Sequence, residues 1–174
     1  DNNFSIDFPY SSELDDSLLL DENEVGEVDT RKEKVNKKVA LKFKIAKTYY
    51  FLKDYSESKK ELDFLIALDS SHYEGYKLLG DVLKKIGDRD SALRNYLLAI
   101  EANENYEKAY LAVGQMYYQN NNFEEAKEYL KDAIDLKKDY AKAYETLGVI
   151  YQNTESYNKA EENYKKAIEY DRRN

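Results

Sequence analysis

EKAYLAVGQMYYQNNNFEEAKEYLKDAIDLKKDY, residues 107–140, and AKAYETLGVIYQNTESYNKAEENYKKAIEYDRRN, residues 141–174, align without a gap, and the pattern runs back at a spacing of 34 residues to Val39. Four copies result: 39–72, 73–106, 107–140 and 141–174. The eighth residue of each is Ala46, Gly80, Gly114 and Gly148; the twentieth is Ser58, Ala92, Ala126 and Ala160; the twenty-seventh is Leu65, Ala99, Ala133 and Ala167, followed each time by Ile. A period of this size marks stacked supersecondary units, each too small to bury its own apolar face. Function is therefore to be sought on a surface rather than in a catalytic cleft.

Within one copy the spacing is helical. Tyr144, Leu147, Gly148 and Tyr151 fall at i, i+3, i+4 and i+7, and Ala160, Tyr164, Ala167 and Ile168 do so again after a break near Glu155 and Ser156, which predicts two amphipathic helices and a short turn. Lys53-Asp54, Gly87-Asp88, Asn121-Asn122 and Glu155-Ser156 occupy the four breaks with residues suited to a helix end followed by an N-cap. The small residues have a steric reason, because antiparallel helices approach to about 8–10 Å only where the side chains at the crossing are short.

The order of a large residue, Leu, Gly, Tyr, then Ala, an aromatic and Ala resembles the tetratricopeptide repeat, over residues 39–174. Tyr110, Val113, Gly114, Tyr117, Ala126, Leu130 and Ala133 carry it well; the first copy is weaker, with Lys42, Ala46 and Ser58 at consensus positions. The resemblance implies an all-α, right-handed superhelical solenoid and a concave groove lined by the first helix of each copy. That groove would comprise Phe43, Lys44, Lys47, Tyr50 and Phe51, then Lys77, Leu78, Asp81, Lys84 and Lys85, then Lys108, Leu111, Gln115, Tyr118 and Gln119, then Glu145, Val149 and Gln152. Aromatic and aliphatic anchors interleaved with amides and lysines suit an extended peptide. The carboxylate clamp of the family's co-chaperones does not fit: its positions hold Phe43, Lys47, Leu78, Lys108 and Ala112, or, one copy on, Lys77, Asp81, Ala112, Lys142 and Thr146, where Asp81 repels a carboxylate. The family's usual Pro near the end of each copy is replaced by Ser70, Glu104, Lys138 and Arg172, which predicts less sharp helix ends and a longer last helix.

Charge divides the chain. Residues 1–30 hold ten acids and no Lys or Arg, whereas residues 31–174 hold 25 acids and 27 bases. A net charge of −8, all of it contributed by this arm, argues against nucleic acid or an anionic membrane as partner. No apolar run is long enough to span a membrane and no signal-peptide pattern opens the chain; a start at Asp1 suggests a processed product or an excised segment. The absence of cysteine excludes disulfides and thiolate metal sites, and the composition fits a soluble domain of either the cytoplasm or the periplasm. Eighteen tyrosines beside no tryptophan fit a base-composition bias as well as a function.

An acidic arm of residues 1–30 reads first as a linker. Phe4, Ile6, Phe8 and Tyr10, however, alternate with polar residues around Pro9, and Leu18, Leu19 and Leu20 follow, as a docking peptide would have them. The expected docking surface is the lysine-bearing groove around Lys44, Lys47, Lys84 and Lys85. Thr30 and Glu33 match a capping box, which predicts a first helix starting near Arg31 and continuing through Val35 and Val39.

Candidates for chemistry are few. His72, the sole histidine, is expected to be an exposed polar residue of the connector Ser70-Ser71-His72. Asp21, Asn23 and Gly26 match half of a calcium loop, but Val25 and Lys32 stand where oxygen ligands are needed. Glu124-Glu125 and Glu161-Glu162 read as helix-start acids complementing the dipole. No metal, cofactor or catalytic residue is expected. The expected function is a non-catalytic module binding a protein or peptide partner; the alternative is a structural segment of a longer repeat scaffold that stacks on further repeats or self-associates, as a homodimer, through its fourth copy, where Tyr157, Ala160, Tyr164, Ile168 and Tyr170 would form an uncovered edge.

Overall fold

The computed structural model describes residues 25–172, with side chains from Thr30 onward, and within them it contains eight helices and no strand. These are α1 (Val25–Phe51), α2 (Tyr55–Leu68), α3 (Tyr73–Ile86), α4 (Arg89–Ala102), α5 (Glu107–Gln119), α6 (Phe123–Leu136), α7 (Ala141–Asn153) and α8 (Tyr157–Asp171). Each odd helix pairs with the next even one as a hairpin, and hairpins stack through α2 on α3, α4 on α5 and α6 on α7. Neighbouring odd helices also touch, α1 with α3 and α5 with α7, so they line one side of an all-α solenoid. None of the described helices is long and apolar enough to cross a membrane.

The turns are built alike in all four hairpins. Lys53, Gly87, Asn121 and Glu155 take positive φ, of 62°, 91°, 62° and 57°. The amide after each donates back to the carbonyl five residues before it: Asp54 to Tyr49, Asp88 to Leu83, Asn122 to Tyr117 and Ser156 to Tyr151, at 2.8–3.0 Å. That second residue is then the N-cap of the even helix, and the Oδ1 atoms of Asp54 and Asp88 accept from the amides of Glu57 and Ser91. Only Gly87 adopts the left-handed conformation without a steric cost. Glu155→Gly should therefore raise stability by about 0.5–1 kcal/mol in a denaturant titration, since the strain relieved exceeds the chain entropy added; a lower midpoint would contradict the turn geometry.

Glycines at the crossings explain how close the helices come. A Cβ on Gly80 would lie 2.5 Å from Cε1 of Tyr96, and one on Gly114 would lie 2.8 Å from Cγ of Leu130. Tyr96, Leu130 and their first-copy counterpart Leu62 are fully buried, as are Ala92, Ala126, Ala99 and Ala133. In the first hairpin the small residue is Ala46, whose carbonyl accepts a bond from Ser58 Oγ at 2.9 Å. The polar Ser58 is thereby satisfied in a fully buried position.

Three expectations need correction. α1 begins at Val25, so Thr30 lies inside the helix and does not cap it; a capping pair placed within an otherwise helical stretch does not stop the helix. The helix ends between copies are sharp despite the missing prolines: Asp69, Asn103 and Lys137 are extended, with φ of −143°, −153° and −135°. At the first two, the side chain accepts the amide two residues on, Asp69 from Ser71 and Asn103 from Asn105, both at 3.0 Å, an Asx turn that reverses the chain without proline. Finally, Glu161 and Glu162 lie beyond the first turn of α8 and pair with Lys165 and Lys166, each at 2.7 Å, whereas Glu124 and Glu125 do stand in the first turn of α6. The lysine hydrogen bonds hold both α8 carboxyls below the usual range.

Candidate functional site

The row of residues expected to line the groove lies along α1, α3, α5 and α7. Phe43 and Tyr50 are half-buried; Lys44, Lys47 and Phe51 are exposed. On α3, Leu78 is buried in the core, Lys77, Asp81 and Lys84 are half-buried, and Lys85 is exposed. Leu111, Gln115, Tyr118 and Val149 are half-buried, and Lys108, Gln119, Glu145 and Gln152 are exposed. Contacts tie neighbouring odd helices across the row: Asn153 Nδ2 donates to the Tyr118 hydroxyl at 3.3 Å.

Electrostatics distinguish the two ends of this row. The first two hairpins contribute Lys44, Lys47, Lys77, Lys84 and Lys85 against Glu74 and Asp81, the last two only Lys108 and Lys142 against Glu145. Asp81 is already engaged: its Oδ2 lies 2.6 Å from Lys77 Nζ and its Oδ1 accepts the Tyr96 hydroxyl at 2.9 Å. It thus cannot serve Lys85, four residues further on. No acid stands three or four residues from Lys44 or Lys47 on α1. Among the described residues, Lys44, Lys47 and Lys85 have no carboxylate partner, and Lys47 instead sits 5.6 Å from the Phe43 ring centroid. Burial lowers the Lys84 ammonium below its ordinary pKa, with Asp81 opposing and Lys77, Lys85 and Arg89 adding to the depression.

Exposed apolar side chains stand at the C-terminal ends of the two helices that carry these cations. Phe51 and Leu52 at the end of α1 are 74% and 70% exposed, and Ile86 at the end of α3 is 53% exposed. Phe51 lies edge-on to Tyr50, whose ring also meets Tyr55, with centroids 6.0 and 5.8 Å apart. Leu52 and Ile86 fall just past the positions the resemblance assigns to the groove. The apolar character of both, where the later copies have Asn120 and Thr154, was the available signal.

Two further residues stand apart from their expected roles. His72 is the half-buried N-cap of α3: its Nδ1 accepts from the Gly75 amide at 2.9 Å, and its ring lies 4.9 Å from Phe43. The uncovered edge of the fourth copy is narrower than expected, because Ala160 is buried and Tyr164 packs on Gly148, donating its hydroxyl to Gln152 Oε1 at 2.8 Å. Tyr170 rests against Tyr144 at 5.4 Å. Ile168, by contrast, is 55% exposed where its equivalent Ile66, covered by α3, is 6% exposed. Phe4, Ile6, Phe8 and Tyr10 lie outside the described residues.

A family model for the tetratricopeptide repeat protein 21 C-terminal ARM domain matches residues 82–174, more than half of the chain. The chain belongs to the tetratricopeptide-repeat family. Its fold is similar to that of MamA, at 26% identity and a TM-score of 0.71 over 78% of this chain and 79% of MamA. MamA from Desulfovibrio magneticus RS-1 gives 23% identity and 0.67 over 77% and 76% of the two chains. PilF of Pseudomonas aeruginosa gives 18% identity and 0.74 over 80% of this chain and 64% of PilF, a likeness of fold alone. No curated protein sequence matches the chain. A tetratricopeptide-repeat fold is compatible with interaction and scaffold roles.

Proposed function

We propose that this chain is a non-catalytic interaction module whose inner face binds an extended, acidic protein segment bearing aromatic or aliphatic anchors. The observation that carries this reading is that Lys44, Lys47 and Lys85 have no carboxylate partner among the described residues, on the two helices that end in exposed Phe51 and Ile86, with exposed Leu52 just past the first. Exposed cations left unpaired attract a negative segment and steer its approach, while apolar side chains supply anchor contacts that charge alone does not. The second half of the row, with Gln115, Tyr118, Gln119 and Gln152 beside Leu111, offers amides and a hydroxyl to the backbone of a segment long enough to continue. The probe is a fluorescein-labelled synthetic peptide with the sequence of residues 1–24, which is acidic and aromatic. In protein carrying Phe4→Ser/Phe8→Ser/Tyr10→Ser, whose own first residues then compete less, Lys47→Glu combined with Lys85→Glu should weaken its binding at least about tenfold, and raising salt to about 0.5 M should weaken binding to the triple variant alone. Lys131→Glu, on exposed α6, should leave binding unchanged. Equal affinities for all three proteins would remove the inner face from the account.

A second reading, a scaffold segment that associates with another copy or a further helix through the fourth hairpin, is favoured by the exposure of Ile168. Growth in sedimentation coefficient with concentration, abolished by Ile168→Glu, would support it.

A further inference from the structure

The best match on this chain for the inner face is its own beginning. Residues 1–24 carry eight acids and no Lys or Arg, and they include Phe4, Ile6, Phe8 and Tyr10. The face formed by α1 and α3 has the complementary pair of features. Lys44, Lys47 and Lys85 lack carboxylate partners, and Phe51 and Leu52 are the most exposed large apolar side chains among the described residues.

Reach is ample. From Val25 to Lys47 the chain is helical, a distance of about 33 Å, whereas 24 residues span up to about 80 Å when extended. The segment joins α1 at the end remote from Phe51, so it can turn back and run along the helix past Lys44 to Lys47, Lys84 and Lys85 with residues to spare. A tether of this length holds the segment near the face at an effective concentration in the millimolar range. Even a weak acidic-aromatic contact is then occupied for most of the time.

We propose that residues 1–24 occupy the inner face of the first two hairpins in cis, with their acids against Lys44, Lys47, Lys84 and Lys85 and their aromatic residues against Phe51, Leu52 and Ile86. A partner segment must displace them, so the module is self-inhibited. This rests on the reading of that face as a site for acidic segments. Burial of Lys84 adds a reason for the placement, because an ammonium held partly out of water gains from a carboxylate laid over it.

The test uses two proteins spanning residues 1–174, the wild type and Phe4→Ser/Phe8→Ser/Tyr10→Ser, titrated against the labelled peptide of residues 1–24. The triple variant should bind the peptide at least about tenfold more tightly than the wild type, because the competing tether is disabled. Equal and measurable affinities would overturn self-inhibition while leaving the groove reading intact. Binding by neither protein would overturn both. Sedimentation over a wide concentration range separates cis from trans occupancy: the cis arrangement predicts no difference in size between the two proteins. Growth in size of the wild type alone would show the segment bridging copies and would overturn it.

Discussion

Gly80→Ala should lower the stability of the protein by about 1–3 kcal/mol, although alanine is the better helix former by about 1 kcal/mol at an unconstrained site. The cause is the neighbour. A Cβ at Gly80 would fall 2.5–2.6 Å from the Tyr96 ring and 3.1 Å from the Ala92 carbonyl oxygen. Tyr96 is fully buried and its hydroxyl is fixed on Asp81, so the ring has nowhere to go. Gly114→Ala meets the Leu130 side chain at 2.8 Å and the Ala126 carbonyl oxygen at 3.2 Å instead, and the first hairpin already accommodates an Ala–Leu pair in Ala46 and Leu62. Its effect should stay within about 1 kcal/mol of zero. Leucine exceeds both spaces: Gly80→Leu should cost more than about 3 kcal/mol and Gly114→Leu about 1–3 kcal/mol or more, whereas Gln115→Leu, one residue along on the groove side, should be nearly neutral. Thermal denaturation of the five variants checks the order, and equal melting temperatures for Gly114→Leu and Gln115→Leu would defeat the register.

Alkaline pH should unfold the protein over a narrow range. Burial, the largest cause in each case, raises the hydroxyls of Tyr96, Tyr106 and Tyr140 above the ordinary tyrosine range, Tyr140 to about 12. Asp81 adds to the rise at Tyr96, Glu74 at Tyr106 and Glu107 at Tyr140. For each of these groups the folded state keeps its proton at a pH where the unfolded state has lost it. Stability is therefore intact below pH 10 and falls as pH rises from 10 toward the folded values. Three such groups together give a slope of at most about 4 kcal/mol per pH unit, reduced by solvent screening at the half-buried Tyr106 and Tyr140. Lys84 runs the other way, its desolvation cost being relieved as pH climbs toward 10.5, but a single partly buried lysine does not offset three tyrosines. Circular dichroism and tyrosinate absorbance, followed together from pH 9 upward, should show helix loss coinciding with a cooperative rise in tyrosinate. Smooth ionisation of all tyrosines near pH 10 in a fully helical protein would contradict the packing described.

The fold was legible because its determinants repeat. A position that must be small at a helix crossing recurs as Ala46, Gly80, Gly114 and Gly148, and the left-handed residue with its following N-cap recurs from Lys53-Asp54 to Glu155-Ser156. What escaped is what does not repeat. His72 replaces a customary capping side chain with an imidazole nitrogen, so it reads as a connector residue; only its place in the register, equivalent to the N-cap tyrosines Tyr106 and Tyr140, points to the role. Tyr164 was assigned to an edge although its equivalents Leu62, Tyr96 and Leu130 all lie inside hairpins, and the same register would have placed it. The start of α1 was hidden because Val25, Gly26 and Val28 are weak helix formers, so local propensity favoured the later capping pair. Along the odd-helix row, the sequence located the lysines but not their pairing. Whether Asp81 neutralises Lys77, Lys84 or Lys85 depends on the Tyr96 hydroxyl arriving from α4, fifteen residues away.

That pairing is the basis of the functional account, and one measurement addresses it directly. Amide chemical shifts of the isotopically labelled triple variant Phe4→Ser/Phe8→Ser/Tyr10→Ser can be recorded while the unlabelled peptide of residues 1–24 is added. The account predicts shifts clustered on the second half of α1 and on α3, at Lys44, Lys47, Phe51, Leu52, Lys84, Lys85 and Ile86, with α6 and α8 unmoved. Shifts confined to the even helices, or none at saturating peptide, would contradict it.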